Sequence, residues 1–273
     1  MAPGRSTAYV HGYSPRERER LGDQARTLAE LLHHDTAYPA GSSVLEAGCG
    51  VGAQTMRLAR SSPGARIVAM DQSANSVREA RRALGPAGGT NVTFLAGDLF
   101  HMPWAEASFD HVFVCFVLEH LRDPATALRQ LHGVLRPGGT LTVIEGDHGS
   151  TFFHPDDADA RRAVQALVEV QANLGGDALI GRRLYPLLRE TGFSDVHVSP
   201  RLVYADAGRP EMVSGFTKKT FTAMVEGARE AALEQGLMDP RAWERGIAGL
   251  RRAAEPDGTF IYCFFKGTAV RRS

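Results

Sequence analysis

The sequence predicts an α/β fold: a parallel sheet with helices on both faces and further helices closing one edge. Three observations predict it. Short apolar runs alternate with helix-like stretches from residue 43 to residue 146. One run, Phe109 to Phe116, is nearly all apolar, as a strand covered on both faces should be. A glycine cluster, Gly48 to Gly52, stands between the first run and the first helix of that alternation. In open α/β sheets that is where the chain turns back around a ligand.

The elements follow in order. Residues 1–15 are polar, contain Gly and Pro, and read as an arm. Residues 16–34 carry Leu21, Ala25, Leu28, Leu31 and Leu32 at helical spacing, and Tyr38-Pro39-Ala40-Gly41 ends that helix. Val44-Leu45 opens the first strand, and a helix is expected over 53–60. Ile67 to Met70 is the second strand, closed by Asp71, and Ser73 can cap a helix over 74–84. Val92 to Leu95 is the third, ending at Gly97-Asp98. After the fourth, a helix over 124–135 stops at Pro137-Gly138-Gly139, and Thr140 to Ile144 is the fifth strand. Residues 156–174 and 182–191 read as helices, Val196 to Tyr204 as a strand, and Phe260 to Phe265 as the last strand. Residues 207–255 are helix-like and far longer than a hairpin link requires.

These elements divide the chain into a lid of arm and helix (1–42), a core (43–146), and further helices with the sixth strand (147–206). A helical cap (207–255) and the last strand with its tail (256–273) complete it.

Composition narrows the function. A chain of 273 residues can bury one large core with a cap. Lys plus Arg and Asp plus Glu are 31 each, so the basic excess that nucleic-acid binding leaves is missing. No apolar run is long enough to span a bilayer, and Met1-Ala2-Pro3-Gly4-Arg5-Ser6 lacks the apolar segment of an export signal. Cys49, Cys115 and Cys263 are isolated, which suits buried, reduced thiols in the cytoplasm. A homo-oligomer is left open.

The motif that carries chemistry is Glu46-Ala47-Gly48-Cys49-Gly50-Val51-Gly52. Glycines let backbone approach a ligand without a Cβ in the way. Asp71 follows about 20 residues later, where an acid grips ribose hydroxyls in such folds. The spacing is G-x-G-x-G, with an acid two residues before the first glycine. A nicotinamide dinucleotide site would show G-x-G-x-x-G to seat its pyrophosphate.

With that motif, Gly97-Asp98, Phe109-Asp110, Leu118-Glu119-His120-Leu121 and Leu135-Arg136-Pro137-Gly138-Gly139, residues 43–146 resemble the class I S-adenosylmethionine-dependent methyltransferases. The resemblance implies a seven-stranded, doubly wound, Rossmann-like sheet whose last strand is antiparallel. It implies S-adenosyl-L-methionine as cofactor. Glu46 would order the loop or meet the cofactor amine, and Gly48, Gly50 and Gly52 would back its methionine part. Asp71 would hold the ribose hydroxyls, with Gln72 beside the adenine. Asp98 would accept from the adenine amino group while Leu99 packs on the ring. Phe116 and Val117 would line the transfer channel. His120 would touch the cofactor or cap a helix.

Tyr9, His11 and Tyr13 make the arm aromatic-rich. In a lid role Tyr13 would donate to the cofactor carboxylate, with Tyr9 and His11 on the acceptor side. Glu145 to Ser150 is expected to leave the fifth strand as a rim facing the acceptor. His148 is its candidate general base, because imidazole titrates near working pH. Asp147 is expected to point elsewhere, without a His-Asp dyad. Asp147, His148 and His154 are metal-ligand types, but no metal site is expected. Phe152 and Phe153 are candidate acceptor contacts, and Tyr185 is a further catalytic candidate. The pair His33-His34 is expected to face solvent or cap its helix.

The whole-length pattern is similar to bacterial small-molecule methyltransferases of the ubiquinone/menaquinone-methylase type. It is also similar to a branch that methylates carbon on prenylated or indole natural products. The leading expectation is transfer to a small-molecule acceptor in specialised metabolism. The alternatives are a protein or RNA methyltransferase and a non-methylating protein on the same fold.

Overall fold

The structure is a computed structural model that describes residues 24–85 and 91–272. Seven strands form one sheet in the order β3-β2-β1-β4-β5-β7-β6. They are β1 Ser43–Ala47, β2 Arg66–Asp71, β3 Val92–Ala96, β4 Phe109–Cys115, β5 Leu135–His154, β6 Ser194–Ala205 and β7 Thr259–Val270. The first five pair in parallel, and β7 runs antiparallel to both β5 and β6. Strand order reverses between β1 and β4, which places a crevice beyond their carboxyl ends.

The apolar runs account for the centre of the sheet. Val112 and Val114 of β4 pack with Leu45 and Ala47 on one face, while Phe113 and Cys115 join Val44 on the other. Helices cover both sides: α1 Ala29–His33, α2 Thr55–Ser61, α3 Ala74–Leu84, α4 Pro124–Val134, α5 Ala158–Asn173 and α6 Leu184–Glu190. The starts of α3, α4 and α5 are capped by side chains. Ser73, Asp123 and Asp157 accept from the backbone N–H of Ser76, Thr126 and Ala160. The last part holds Pro210–Met212, a π-helical stretch Val213–Thr222, α7 Ala223–Gly227, α8 Arg229–Glu234 and α9 Pro240–Arg252. Phe216 and Phe221 of the π-helical stretch pack on Phe260 and Tyr262 of β7, so this cap is anchored directly on the sheet.

Two expectations are corrected here. Residues 145–154 do not leave the sheet. Strand β5 continues through them, pairing Gly146 with Phe264 and Asp147 with Cys263, then after a bulge Phe152 with Ile261. The division expected at residue 146 therefore falls inside a continuous strand. His33 does not face solvent either. It is 2% exposed, with its ring centroid 5.7 Å from that of Phe113. Leu32 and His33 share the side of α1 that lies on the sheet, whereas His34 is exposed, with Nδ1 3.1 Å from Glu30 O.

The end of α1 is clamped to β6 and β7 by charge. The buried Lys266 Nζ donates to Leu32 O at 3.3 Å and to Thr36 Oγ1 at 2.6 Å, and pairs with Asp35. Arg201 joins Asp35 from β6 at 2.5 Å.

Burial, with the positive charge of Lys266 nearby, lowers the His33 pKa to about 4. A folded pKa below the unfolded value of 6.5 means that the ring's contribution is present above pH 6.5 and is lost as pH falls towards 4. Thermal melts should fall across that window, and His33→Leu should make the fall shallower. Parallel curves for parent and variant would contradict a neutral, buried His33.

Candidate functional site

Three glycines with φ of +78°, +52° and +82° carry the chain from β1 towards α2. The underside of this loop is tied down. Gly48 N and Cys49 N donate to Met70 O at 2.8 and 2.9 Å, and Gly50 N donates to Asp71 Oδ2 at 2.9 Å. Asp71 Oδ1 accepts from Ser73 N at 2.8 Å, so one carboxylate joins the loop to the start of α3. The three glycines face different neighbours. A Cβ on Gly48 would lie 2.3 Å from Val117 Cγ2, and one on Gly52 would lie 2.9 Å from Ala80 Cβ. One on Gly50 would meet nothing within 4 Å. The space over the middle of the loop is open.

Glu46 lies directly before this loop and is buried. Burial, with Asp71 adding its negative charge, pushes its pKa up to about 7. Its Oε2 has no hydrogen-bond partner among the described residues. Asp71 is also raised by burial, against the pull of its two backbone donors. A buried acid with one unpartnered oxygen, a second acid closing β2 and an open loop floor fit a ligand with an ammonium and ribose hydroxyls. S-Adenosylmethionine carries both. Of the residues expected to meet the adenine, Gln72 and Asp98 are exposed and Leu99 is partly buried. Asp98 accepts from Phe100 N at 2.9 Å and lies 2.8 Å from His101 Nδ1. Its slight burial opposes ionisation, but these bonds hold its pKa below the ordinary value.

Beside the loop, β4 ends in a corner. Phe116 has φ +58° and donates its N–H to Ile144 O at 2.9 Å. Phe116, Val117 and His120 are partly buried, and His120 Nε2 lies 3.5 Å from Glu119 Oε1. Next to them is a buried polar group. His148, 4% exposed, has Nδ1 2.7 Å from Tyr262 Oη and Nε2 3.9 Å from Glu119 Oε2. Gly146 makes room for it, because a Cβ there would lie 2.4 Å from Tyr262 Oη. Burial, then the charge of Glu119, keeps Tyr262 a phenol by raising its pKa far above the usual range. Asp147 turns away, as expected, to Arg182, whose Nε and Nη2 donate at 2.6 and 2.8 Å.

The structure separates the remaining candidates. Phe152 is 64% exposed, because register with Ile261 turns it to the outer face of the sheet. Tyr185 is 54% exposed, because Leu184, Leu187 and Leu188 are the buried side of α6. Neither joins the buried group around His148. Phe153 is partly buried and stacks on Phe260 at 6.5 Å, against the core. Tyr9, His11 and Tyr13 lie outside the described residues. The sequence reading passed over Glu119, Glu145 and Tyr262 as site residues. The alternation Phe260-Tyr262-Phe264 contained the signal for Tyr262, since it puts the phenol on the buried side of β7. Glu119 stood inside the quoted Leu118-Glu119-His120.

A methyltransferase-domain family model matches residues 45–143. An O-methyltransferase of Aspergillus sclerotiorum, resE, is 30% identical over 189 residues, 68% of each chain. A demethylmenaquinone methyltransferase of Thermobifida fusca is 36% identical over 131 residues, 48% of this chain and 52% of that one. Among solved structures, a Haemonchus contortus phosphoethanolamine N-methyltransferase 2 complex with S-adenosylhomocysteine aligns with a TM-score of 0.58 at 17% identity. It covers 91% of this chain and 52% of that one. This chain belongs to the class I S-adenosylmethionine-dependent methyltransferases. It spans about half the length of several curated relatives that it matches. No helix among the described residues is long and apolar enough to cross a membrane.

If Asp71 grips the ribose, Asp71→Ala removes charge-assisted bonds worth about 1.5–3 kcal/mol, or roughly 10- to 150-fold in cofactor affinity. Calorimetry on the folded variant should read that loss. Unchanged affinity would remove Asp71 from the cofactor site.

Proposed function

We propose that this protein transfers a methyl group from S-adenosylmethionine to a small-molecule acceptor lying over the carboxyl ends of β4 and β5. The observation that carries this reading is the buried Glu119–His148–Tyr262 group beside the corner after β4, next to the glycine loop. Glu46, Gly48, Gly50 and Asp71 would hold the cofactor, which supplies an electrophilic methyl on sulfur. Phe116 and Val117 would line the passage to the acceptor. The protein's part in an in-line displacement is to align the pair and exclude water.

His148 would take the proton that the acceptor loses. With Nδ1–H donating to the Tyr262 oxygen, Nε2 carries the lone pair. Glu119 Oε2, 3.9 Å away, would stabilise the imidazolium that forms. The rings of Phe216, Phe221 and Phe264 crowd around Tyr262 of this group, with centroids 4.7–5.4 Å from its own. That apolar surround favours an aromatic or prenylated acceptor over a strongly charged one. The names of the relatives, an O-methyltransferase and a demethylmenaquinone methyltransferase, support a small acceptor.

Incubation with methyl-labelled cofactor and a metabolite extract tests the reaction. A labelled small molecule with S-adenosylhomocysteine is expected. Label in protein or RNA would overturn the acceptor class, and no transfer at all would favour a non-methylating protein. With the acceptor in hand, His148→Ala should lower turnover by about 10²–10⁴ and leave cofactor affinity nearly intact. Parent-like turnover and KM would remove His148 from catalysis.

A further inference from the structure

Glu145 is a buried acid that the reaction above does not use. It is 0% exposed, at the level where β5 passes the end of β4. Its Oε1 accepts the N–H of Val117 at 3.0 Å and of Leu118 at 2.8 Å. These two amides directly follow Phe116, whose φ of +58° is a left-handed conformation that a Cβ disfavours. Such a conformation persists only where the surroundings hold it. Val117 then sets its side chain over Gly48, close enough to exclude a Cβ there. Leu118 is fully buried in the core cluster against which Val117 also packs. One side chain on β5 thus fixes the corner that faces the glycine loop.

We propose that Glu145 is a positioning residue: it locks the turn 116–118 and so holds Phe116 and Val117 at the spacing from the glycine loop that cofactor binding needs. This rests on the reading that the cofactor lies over that loop. An apolar residue at 145 would leave two amides without this acceptor in a dry interior. Charge is not what the lock requires. Burial, then the neighbouring Glu119, raises the Glu145 pKa well above the ordinary carboxylate range. Both bonds call for an oxygen acceptor, and a glutamine oxygen offers one at the same place.

The test compares E145Q with E145M, which keeps length and removes the acceptor. Affinity for S-adenosylhomocysteine is measured by calorimetry, and amide exchange is followed at Val117 and Leu118. E145Q should bind within about threefold of the parent, whereas E145M should bind at least about tenfold more weakly and exchange faster at both amides. Parent-like affinity in a folded E145M, or a loss in E145Q as large as in E145M, would overturn the proposal. If E145M does not fold, exchange in the cofactor-free parent decides. Slow exchange at both amides supports the lock, and open-loop rates contradict it. Failure of the cofactor reading is distinguishable: Asp71→Ala would then leave affinity unchanged, while protection of Val117 and Leu118 would still report the lock.

Discussion

The hydrogen bond from Gly50 N to Asp71 Oδ2 ties the first turn of the sheet to the end of its second strand, and the rest of the site depends on it. The loop must reverse within a few residues while three glycines hold positive φ. Without an anchor below, backbone of that kind would sample many conformations. With it, Gly48 presents a surface against which Val117 closes. Val117 and Leu118 hang from Glu145, and the neighbouring Gly146 admits the Tyr262 hydroxyl that meets His148. The carboxyl edge is thus a chain of close contacts through β2, β1, β4, β5 and β7. Each link sits where a small residue or a buried acceptor permits it.

The acidic side chains on this edge are costly to bury and are accommodated in different ways. Asp147 gains a two-pronged pairing with Arg182. Glu145 gains two backbone donors, while burial, then the neighbouring Glu119, raises its pKa well above the ordinary carboxylate range. Glu119 accepts from Gln171 Nε2 at 3.4 Å and lies near His148 and His120. Oε2 of Glu46, like Oε2 of Glu145, has no hydrogen-bond partner among the described residues, and Glu46 lies directly before the glycine loop, where a cationic group supplied from outside would meet it.

Much of this was legible in the sequence. The first four strands were expected within a residue or two of their observed ends, because apolar runs and glycine punctuation are local signals. Helix α3 was expected with its full range and its Ser73 cap. Strand β5 was not. Gly146, Asp147, His148, Gly149 and Ser150 have the composition of a loop. Gly146 and Asp147 are held by pairing with β7 and the three residues after them lie in the bulge, while the side chains of Asp147, His148 and Ser150 meet Arg182, Tyr262 and Cys263, all distant in sequence. Facing was the other limit. Phe152 and Tyr185 were chosen by residue type, but register and helix phase turned them outward. The glycine loop was readable because its turn is built from neighbouring residues, whereas the group around His148 is assembled from β5, β7 and the turn after β4.

Amide hydrogen exchange with and without S-adenosylhomocysteine tests the central claim, that the cofactor is held at the crevice between β1 and β4. Protection should rise over residues 46–52 and 71–73, with Val117 and Leu118 already slow in the free protein. Binding that protects other segments and leaves 46–52 and 71–73 unchanged would contradict it.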